Sequence, residues 1–304
     1  MRLRAESIGY AVPCVDFEAR IHSVFQTAVN LRPAHQDLLL TIVVAGEADL
    51  PQGIRLDSPD DLPFEQLIVG KSVFCRDETL FFEDSDLQVD LHQCKRWQCD
   101  LPALATNLSN PAVGEAWKFV WKLLNERQVK LGAEIVAEAL FHPDGMAGSA
   151  ISRRVGKAVR ILVEAARNHQ PDNLSVLTQL IGLGTGLTPC GDDFLVGYLA
   201  GLWCTVRESV ERRRFLSELR RAVIQLSAKT NDISRTYLEH AANGQVSSRL
   251  EELAAAISKP KSLAQVLTAT EAAMHTGHTS GVDGVTGLLS GLATWEGEAV
   301  LVVE

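Results

Sequence analysis

Two stretches of this chain set hydroxyl, glycine and carboxyl groups in the same order: TGLTPCGDDFLVGYLAGL from Thr185 and TGHTSGVDGVTGLLSGL from Thr276. Thr185 aligns with Thr276, Gly186 with Gly277 and Thr188 with Thr279. After a short gap, Gly191 falls on Gly281, Asp193 on Asp283, Gly197 on Gly287 and Gly201 on Gly291. A threonine hydroxyl can satisfy the free N–H groups of a helix start, and Pro189 suits a first helical position, so each copy predicts a loop opening a helix, the first beginning at Pro189. Gly182, Gly184 and Gly186 allow positive φ and close approach of backbone to a ligand, while a helix N-terminus favours an anion. That chemistry is a cradle for a phosphate or carboxylate, with Gly184, Gly186, Thr188, Gly191, Asp192, Thr279, Ser280 and Gly281 as candidate substrate contacts. No Gly-Lys-Ser/Thr follows the first loop, and no GxGxxG opens it with an acid about twenty residues on, so neither a Walker loop nor a dinucleotide fingerprint is present.

The carboxylates narrow the choice. Residues four apart share a helix face, which aligns Asp193 with Gly197 and Gly201, and Asp283 with Gly287 and Gly291. Glycine stripes of this kind let two helices approach closely, and packing through them would bring Asp193 and Asp283 towards a pseudo-twofold axis. Two bare carboxylates about 4 Å apart repel by roughly 4 kcal/mol at an effective dielectric of 20. A close pair therefore requires a bound cation, a shared proton or local hydrogen bonds. Mg2+ at Asp193 and Asp283 is the candidate cation, and no other cofactor is indicated. Bracing of the helix start, contact with metal or substrate, and proton transfer remain open for Asp192, Asp193 and Asp283.

His278 lies inside the second copy and His275 borders it; a neutral imidazole can donate to an anion or act as acid or base. Asp193, Asp283 and His278 are thus the candidate catalytic groups. Thr230, Ser234 and Arg235, at an expected helix start, offer further anion contacts. Cys190 has no adjacent histidine to activate it and reads as a small core or loop residue. His92, Cys94 and Cys99 lack the second half of a zinc motif.

Around these motifs the period of the chain changes. Short apolar runs between turn residues from Ile21 to about Val89, such as LLLTIVVAGEADLPQG, FEQLIVGKSVFC and TLFFEDSDLQVDL, predict strands, and their spacing suits an antiparallel sheet or small barrel. From Ala112 onward, Trp117, Val120, Trp121 and Leu124 recur at three and four, and most of the remainder reads as helix. The expected fold is α+β, with a β-rich domain over 1–110 and a helical domain over 111–304, divided near Asn107–Pro111. Ser149 or Ser152 is expected to cap a helix through Ala166, Asp232 one through Ala242, and Ser262 one through Met274. The apolar stretch Phe194–Val206 is too short to span a bilayer and reads as a buried helix.

The chain has 304 residues, 46% of them hydrophobic, and a formal charge of -9, which excludes the disordered class and argues against nucleic acid as a partner, since that affinity comes from clustered Lys and Arg. Its densest basic stretch, Arg212–Arg214 with Arg220 and Arg221, alternates with glutamates and reads as a solvated helix face. The first residues lack the apolar core of a secretory signal, and the six cysteines are scattered, so a cytoplasmic protein with reduced thiols and no membrane partner is expected.

The segment from Gly182 to Asp193, GLGTGLTPCGDD, resembles the first motif of a bacterial family that includes the AllH-type subunit of oxamate carbamoyltransferase. His278-Thr279-Ser280-Gly281 with Asp283 is similar to that family's second motif. Thr185 and Cys190 stand where the family has proline and serine, while the glycines, Thr188 and both aspartates are kept. The resemblance implies a part in moving a carbamoyl group between oxalurate and phosphate, giving oxamate and carbamoyl phosphate in allantoin breakdown, a branch of purine catabolism, with partner subunits completing the enzyme. In that reading Thr188 and Thr279 hold oxyanions, Asp193 and Asp283 orient the carbamoyl nitrogen or Mg2+, and His278 assists charge development. Another small-anion enzyme, an anion-sensing or regulatory subunit, and a purely structural helix pair are the competing readings.

Overall fold

A computed structural model of the chain describes residues 1–58, 63–103, 106–131, 135, 137 and 150–296. These fall into two compact units, Met1–Cys99 and Asp100–Glu304. The first is built of strands β1 (Arg2–Gly9), β2 (Phe17–Val24), β3 (Ala28–Pro33), β4 (Leu40–Val43), β5 (Gly53–Leu56), β6 (Ser72–Arg76), β7 (Thr79–Phe82), β8 (Gln88–Asp90) and β9 (Lys95–Trp97). They pair in the order β5-β4-β3-β2-β6-β7-β8-β1-β9, and β5 also pairs with β1, which closes the sheet into a barrel. β1 is the closing strand: Arg2–Arg4 lie along β8 and Ser7–Gly9 along β9 on one edge, while Ala5–Ile8 lie along β5 on the other. Most ladders are antiparallel, but β1 runs parallel to β8 and β9, and β4 parallel to β5.

Closure leaves an interior that alternate residues must fill. Leu3 and Ala5 of β1, Ile21, Leu31, Ile42, Ile54, Leu56, Val73, Leu80 and Val89 are buried there. Two expectations need correction in this unit. The strands begin at Arg2, well before Ile21, because β1 alternates charged residues with small or apolar ones rather than showing an apolar run. In FEQLIVGKSVFC only Ser72 onward is strand; Pro63–Gln66 is a 3-10 turn, and Ile68 and Val69 are exposed.

The second unit is helical. Among the described residues it comprises α1 (Pro111–Leu131), α2 (Ala150–Arg167), α3 (Cys190–Thr205), α4 (Val210–Leu226), α5 (Asp232–Ala242), α6 (Ser248–Ser258), α7 (Leu263–Met274) and α8 (Ser280–Ala293), with a 3-10 stretch at Pro171–Gln179. The caps are side chains with local reach: Ser209 accepts from Arg212 N, Ser262 from Gln265 N, and Asn231 from Ile233 N and Ser234 N. Asp232 is therefore the first helical residue of α5 and Asn231 its cap, one position earlier than expected. Ser149 lies outside the described residues.

Helix α8 is buried at every residue from Gly281 to Ala293. Buried hydroxyls on it and at its cap are accommodated by local bonds, Thr286 Oγ1, Ser290 Oγ and the cap residue Thr294 Oγ1 each donating to the carbonyl four residues earlier. From α1, Trp117 Nε1 donates to Leu289 O at 3.1 Å and Gln128 Nε2 to Thr286 Oγ1 at 2.9 Å. Among the described residues no helix is long and apolar enough to cross a membrane.

Candidate functional site

The glycine stripes of α3 and α8 face each other without side chains between them. A Cβ placed on Gly197 would stand 1.8 Å from Gly284 O, and one on Gly287 would stand 2.0 Å from Phe194 O. One turn on, a Cβ on Gly201 would meet Leu288 O at 2.5 Å and one on Gly291 would meet Tyr198 O at 2.4 Å. These contacts are reciprocal under the sequence alignment, since 197 corresponds to 287, 194 to 284, 201 to 291 and 198 to 288. The duplicated segments are thus related by a pseudo-twofold axis. Contacts ascend together along both helices, so α3 and α8 run parallel and their N-termini, with the two motif loops, open at the same end. Two positive helix ends, each worth roughly half a charge, converge there.

Each loop folds back on its own helix. Gly182, Gly184 and Gly186 have φ of 77, 126 and 87°, and Gly277 has φ of 61°. A Cβ on Gly184 would lie 2.6 Å from Cys190 N, so that glycine is required by approach as well as by φ. Gly191 N donates to Leu183 O at 3.0 Å, and Gly281 N to Thr276 O at 2.9 Å. Gly191 and Gly281 also admit the carbonyls of Leu180 and Ala273, which would lie 2.2 and 2.3 Å from a Cβ. The two equivalent glycines therefore seat the helix starts, and their amides serve the fold. Pro189 is the cap residue of α3 and Thr279 that of α8, neither helix receiving a side-chain capping bond. This corrects the expectation of threonine caps with the first helix beginning at Pro189.

Freed from capping, Thr188 reaches across the pseudo-axis: its Oγ1 is 2.6 Å from Ser280 Oγ. Both hydroxyls also hydrogen-bond to the Asp193 carboxyl. Asp193 Oδ2 is buried and has no hydrogen-bond partner. Burial pushes the Asp193 carboxyl up to about 8, against the two hydroxyls and with the neighbouring Asp192 charge adding to the rise. Near neutral pH this side chain is mostly a carboxylic acid.

Asp192, one residue earlier, is occupied differently. Its Oδ1 accepts from Gly182 N at 2.8 Å and its Oδ2 from Thr230 Oγ1 at 2.5 Å. Burial raises its carboxyl too, opposed by bonds from Thr230, Gly182 and Ser234. The first loop is also held by α5, where Asn231 Nδ2 donates to Leu187 O at 2.8 Å and Ser234 Oγ to the same oxygen at 3.5 Å. Arg235 Nε is engaged by Glu239 at 2.8 Å, within its own helix.

Asp283 is buried in the first turn of α8, with its N–H on Thr279 O at 3.0 Å. His278 is exposed, and His275 is exposed with Nδ1 2.6 Å from Glu271 O. Among the described residues no group of three or more His, Cys, Asp or Glu side chains gathers to hold a metal. A Mg2+ ion accepts sites with one or two carboxylates but needs them ionised.

The structure thus brings Thr188, Asp193 and Ser280 into one cluster, with Gly184, Gly186 and Thr279 in the loops beside it. It places Thr230 and Asp192 in a brace and Arg235 in an ion pair. Two further residues border the loops that the motif did not mark. Asn231 ties α5 to the first loop, and Arg249 of α6 donates from Nη1 to Thr276 Oγ1 at 3.3 Å. Neither belongs to the repeated pattern, and only the folded chain brings them to it.

Comparison with known families matches both units. A family model described as oxamate carbamoyltransferase subunit AllH matches residues 180–292, which run from the carbonyl seated on Gly191 to the end of the second glycine stripe. A model described as the AllH family N-terminal domain matches residues 4–96, the strands of the barrel. No curated protein and no solved structure matches the chain.

Proposed function

We propose, from the premise that the chain belongs to the AllH family of oxamate carbamoyltransferase subunits, that it supplies the small-anion site of a heteromeric carbamoyltransferase. The reaction is transfer of a carbamoyl group between oxalurate and phosphate, giving oxamate and carbamoyl phosphate, in the cytoplasm and with partner subunits completing the enzyme. The observation that carries this reading is the junction of Thr188 with Ser280 at the shared N-terminal end of two parallel helices.

Every reactant and product here is a small anion. Two helix dipoles pointing the same way favour such a ligand over water, and glycine loops leave the backbone accessible beside it. Thr188, Thr279 and Ser280 are half-buried, so their hydroxyls can meet a ligand at the surface of the cluster. His278, exposed on the second loop, would donate to an oxyanion that develops outside it. Asp283 lies buried in the first turn of α8, and Asp192 with Thr230 keeps the first loop in shape. Several helix-start amides are already used by the loops, which fits a site whose remaining donors come from partner subunits.

The test is reconstitution with the partner subunits and assay of carbamoyl phosphate formed from oxalurate and phosphate. Thr188→Val and Ser280→Ala should each lower kcat/KM about 10- to 100-fold, the loss expected for one or two hydrogen bonds to a charged group, with the fold retained. Wild-type rates in both variants would refute the assignment.

A further inference from the structure

The two motif loops repeat one another in sequence, but their neighbours differ in charge. Beside the first loop stand Thr230, Asn231 and Ser234, all neutral, and Arg235 pairs with Glu239 in its own helix. Leu187 of the first loop is matched by His278 in the second, and both are exposed. Beside the second loop stands Arg249, half-buried in the first turn of α6, whose Nη1 donates to Thr276 Oγ1 at 3.3 Å. Leu250, next in the chain, fixes that turn against α8: its methyls lie 3.8 and 3.9 Å from a Cβ placed on Gly284. The guanidinium is thereby held beside the start of α8, where Gly281 N donates to Thr276 O and closes the loop.

This is a costly place for a cation. It opposes the dipole of its own helix and lies by the positive end of α8. Ser247, the cap residue of α6, makes no side-chain capping bond, and Glu251, the acid of the first turn, accepts from Asp100 N at 3.0 Å. Asp283 is buried in the first turn of α8, so Arg249 is the one of the two that keeps contact with solvent. Local preferences are broken in this way at functional sites.

We propose that Arg249 is the carboxylate-binding residue of the site: its guanidinium holds the carboxylate of oxalurate and oxamate at the second loop, while the Thr188–Ser280 junction serves phosphate. The proposal rests on the carbamoyl-transfer reading above. That reaction has two anionic partners, one ending in a planar carboxylate and the other a tetrahedral phosphate. A guanidinium fork matches two coplanar oxygens, and it can hold a hydroxyl and a carboxylate at once. The junction instead offers two hydroxyls and two helix ends, which a tetrahedral anion accepts from several sides. The asymmetry laid over the duplicated loops thus sorts the two ligands, and Arg249 sets the preference for a carboxylic acid at the second.

The experiment is titration calorimetry of the reconstituted complex with oxamate and, separately, with inorganic phosphate, for wild type, Arg249→Met and Arg249→Lys. Arg249→Met should weaken oxamate about 10- to 100-fold, the loss expected for hydrogen bonds to a charged group, and leave phosphate affinity unchanged. Arg249→Lys, which keeps the charge but not the fork, should weaken oxamate by less. Equal losses for both anions in Arg249→Met mark a brace of the second loop and overturn the proposal, as does a loss confined to phosphate. If Arg249→Met does not fold, Arg249→Lys decides: weaker oxamate with unchanged phosphate supports the carboxylate seat, and wild-type affinity for oxamate overturns it. A complex that binds oxamate through Arg249 but forms no carbamoyl phosphate from oxalurate and phosphate ends the carbamoyl-transfer reading and leaves the seat standing. Turnover with oxamate binding indifferent to Arg249 ends the seat and leaves that reading intact.

Discussion

Asp192 and Asp193 are adjacent in the chain and differ in what meets them. Asp192 has both oxygens satisfied by Gly182 and Thr230, whereas Asp193 shares hydroxyls with the second loop and leaves Oδ2 without a partner. Their types and their place at a helix start are legible in the sequence. Their separate surroundings are not, because Thr230 and Ser280 lie far along the chain and reach them only once it has folded. The difference has a thermodynamic consequence. An unfolded aspartate ionises near 3.8, and folded Asp193 keeps its proton to about 8. Stability therefore falls as pH rises towards that value and levels off beyond it, by about 1.4 kcal/mol per pH unit for one proton. His240, whose burial lowers it from 6.5 to about 4, acts with the opposite sign below that upper value. Between pH 6.5 and about 8 the Asp193 contribution is clear of it and amounts to about 2 kcal/mol. Denaturant unfolding of Asp193→Asn over that window should lose this slope, and an unchanged slope would mean that Asp193 is already ionised.

At the scale of elements, spacing carried the most information. Glycines four apart beside an aspartate, twice, specify two helix faces that can touch backbone to backbone, and the reciprocal approaches of Gly197 and Gly287 are that contact realised. Because the pair is pseudo-symmetric, Gly197→Ala and Gly287→Ala should cost nearly the same. Each would force a methyl to within 2.0 Å of a carbonyl oxygen, so about 3 kcal/mol or more is expected by thermal or denaturant unfolding. Gly186→Ala should cost only about 1 kcal/mol, since that glycine has a positive φ but open space around it. Costs that are unequal within the pair, or as small as at Gly186, would contradict the packing. Strand β1 shows where local patterning misleads. Arg2, Arg4 and Glu6 alternate with the buried Leu3, Ala5 and Ser7, so the strand shows alternation without an apolar run. Conversely, the apolar run containing Ile68 and Val69 is a turn, so hydrophobicity without alternation was a poor guide there.

At the scale of the whole molecule, the change from strand-like to helix-like periodicity separates a closed β unit from a helical one, and family models match each. Barrel closure was less legible than strand content, since it depends on β1 meeting β5 and β8 from opposite ends of the unit. The acidic balance of the chain is compatible with an anion site because the positive ends of two buried helices, rather than a surface of lysines, supply the local field. That convergence is the central claim, and anion-dependent thermal unfolding tests it most directly. The chain and its reconstituted complex would be melted with phosphate, carbamoyl phosphate and oxamate, alongside Thr188→Val. A ligand at about 100 times its dissociation constant adds roughly 2.7 kcal/mol. The account predicts a stabilisation of that order by carbamoyl phosphate or phosphate, reduced in Thr188→Val by about a tenfold weaker affinity. No stabilisation in either the chain or the complex, or an equal one in Thr188→Val, would contradict an anion site between the two helices.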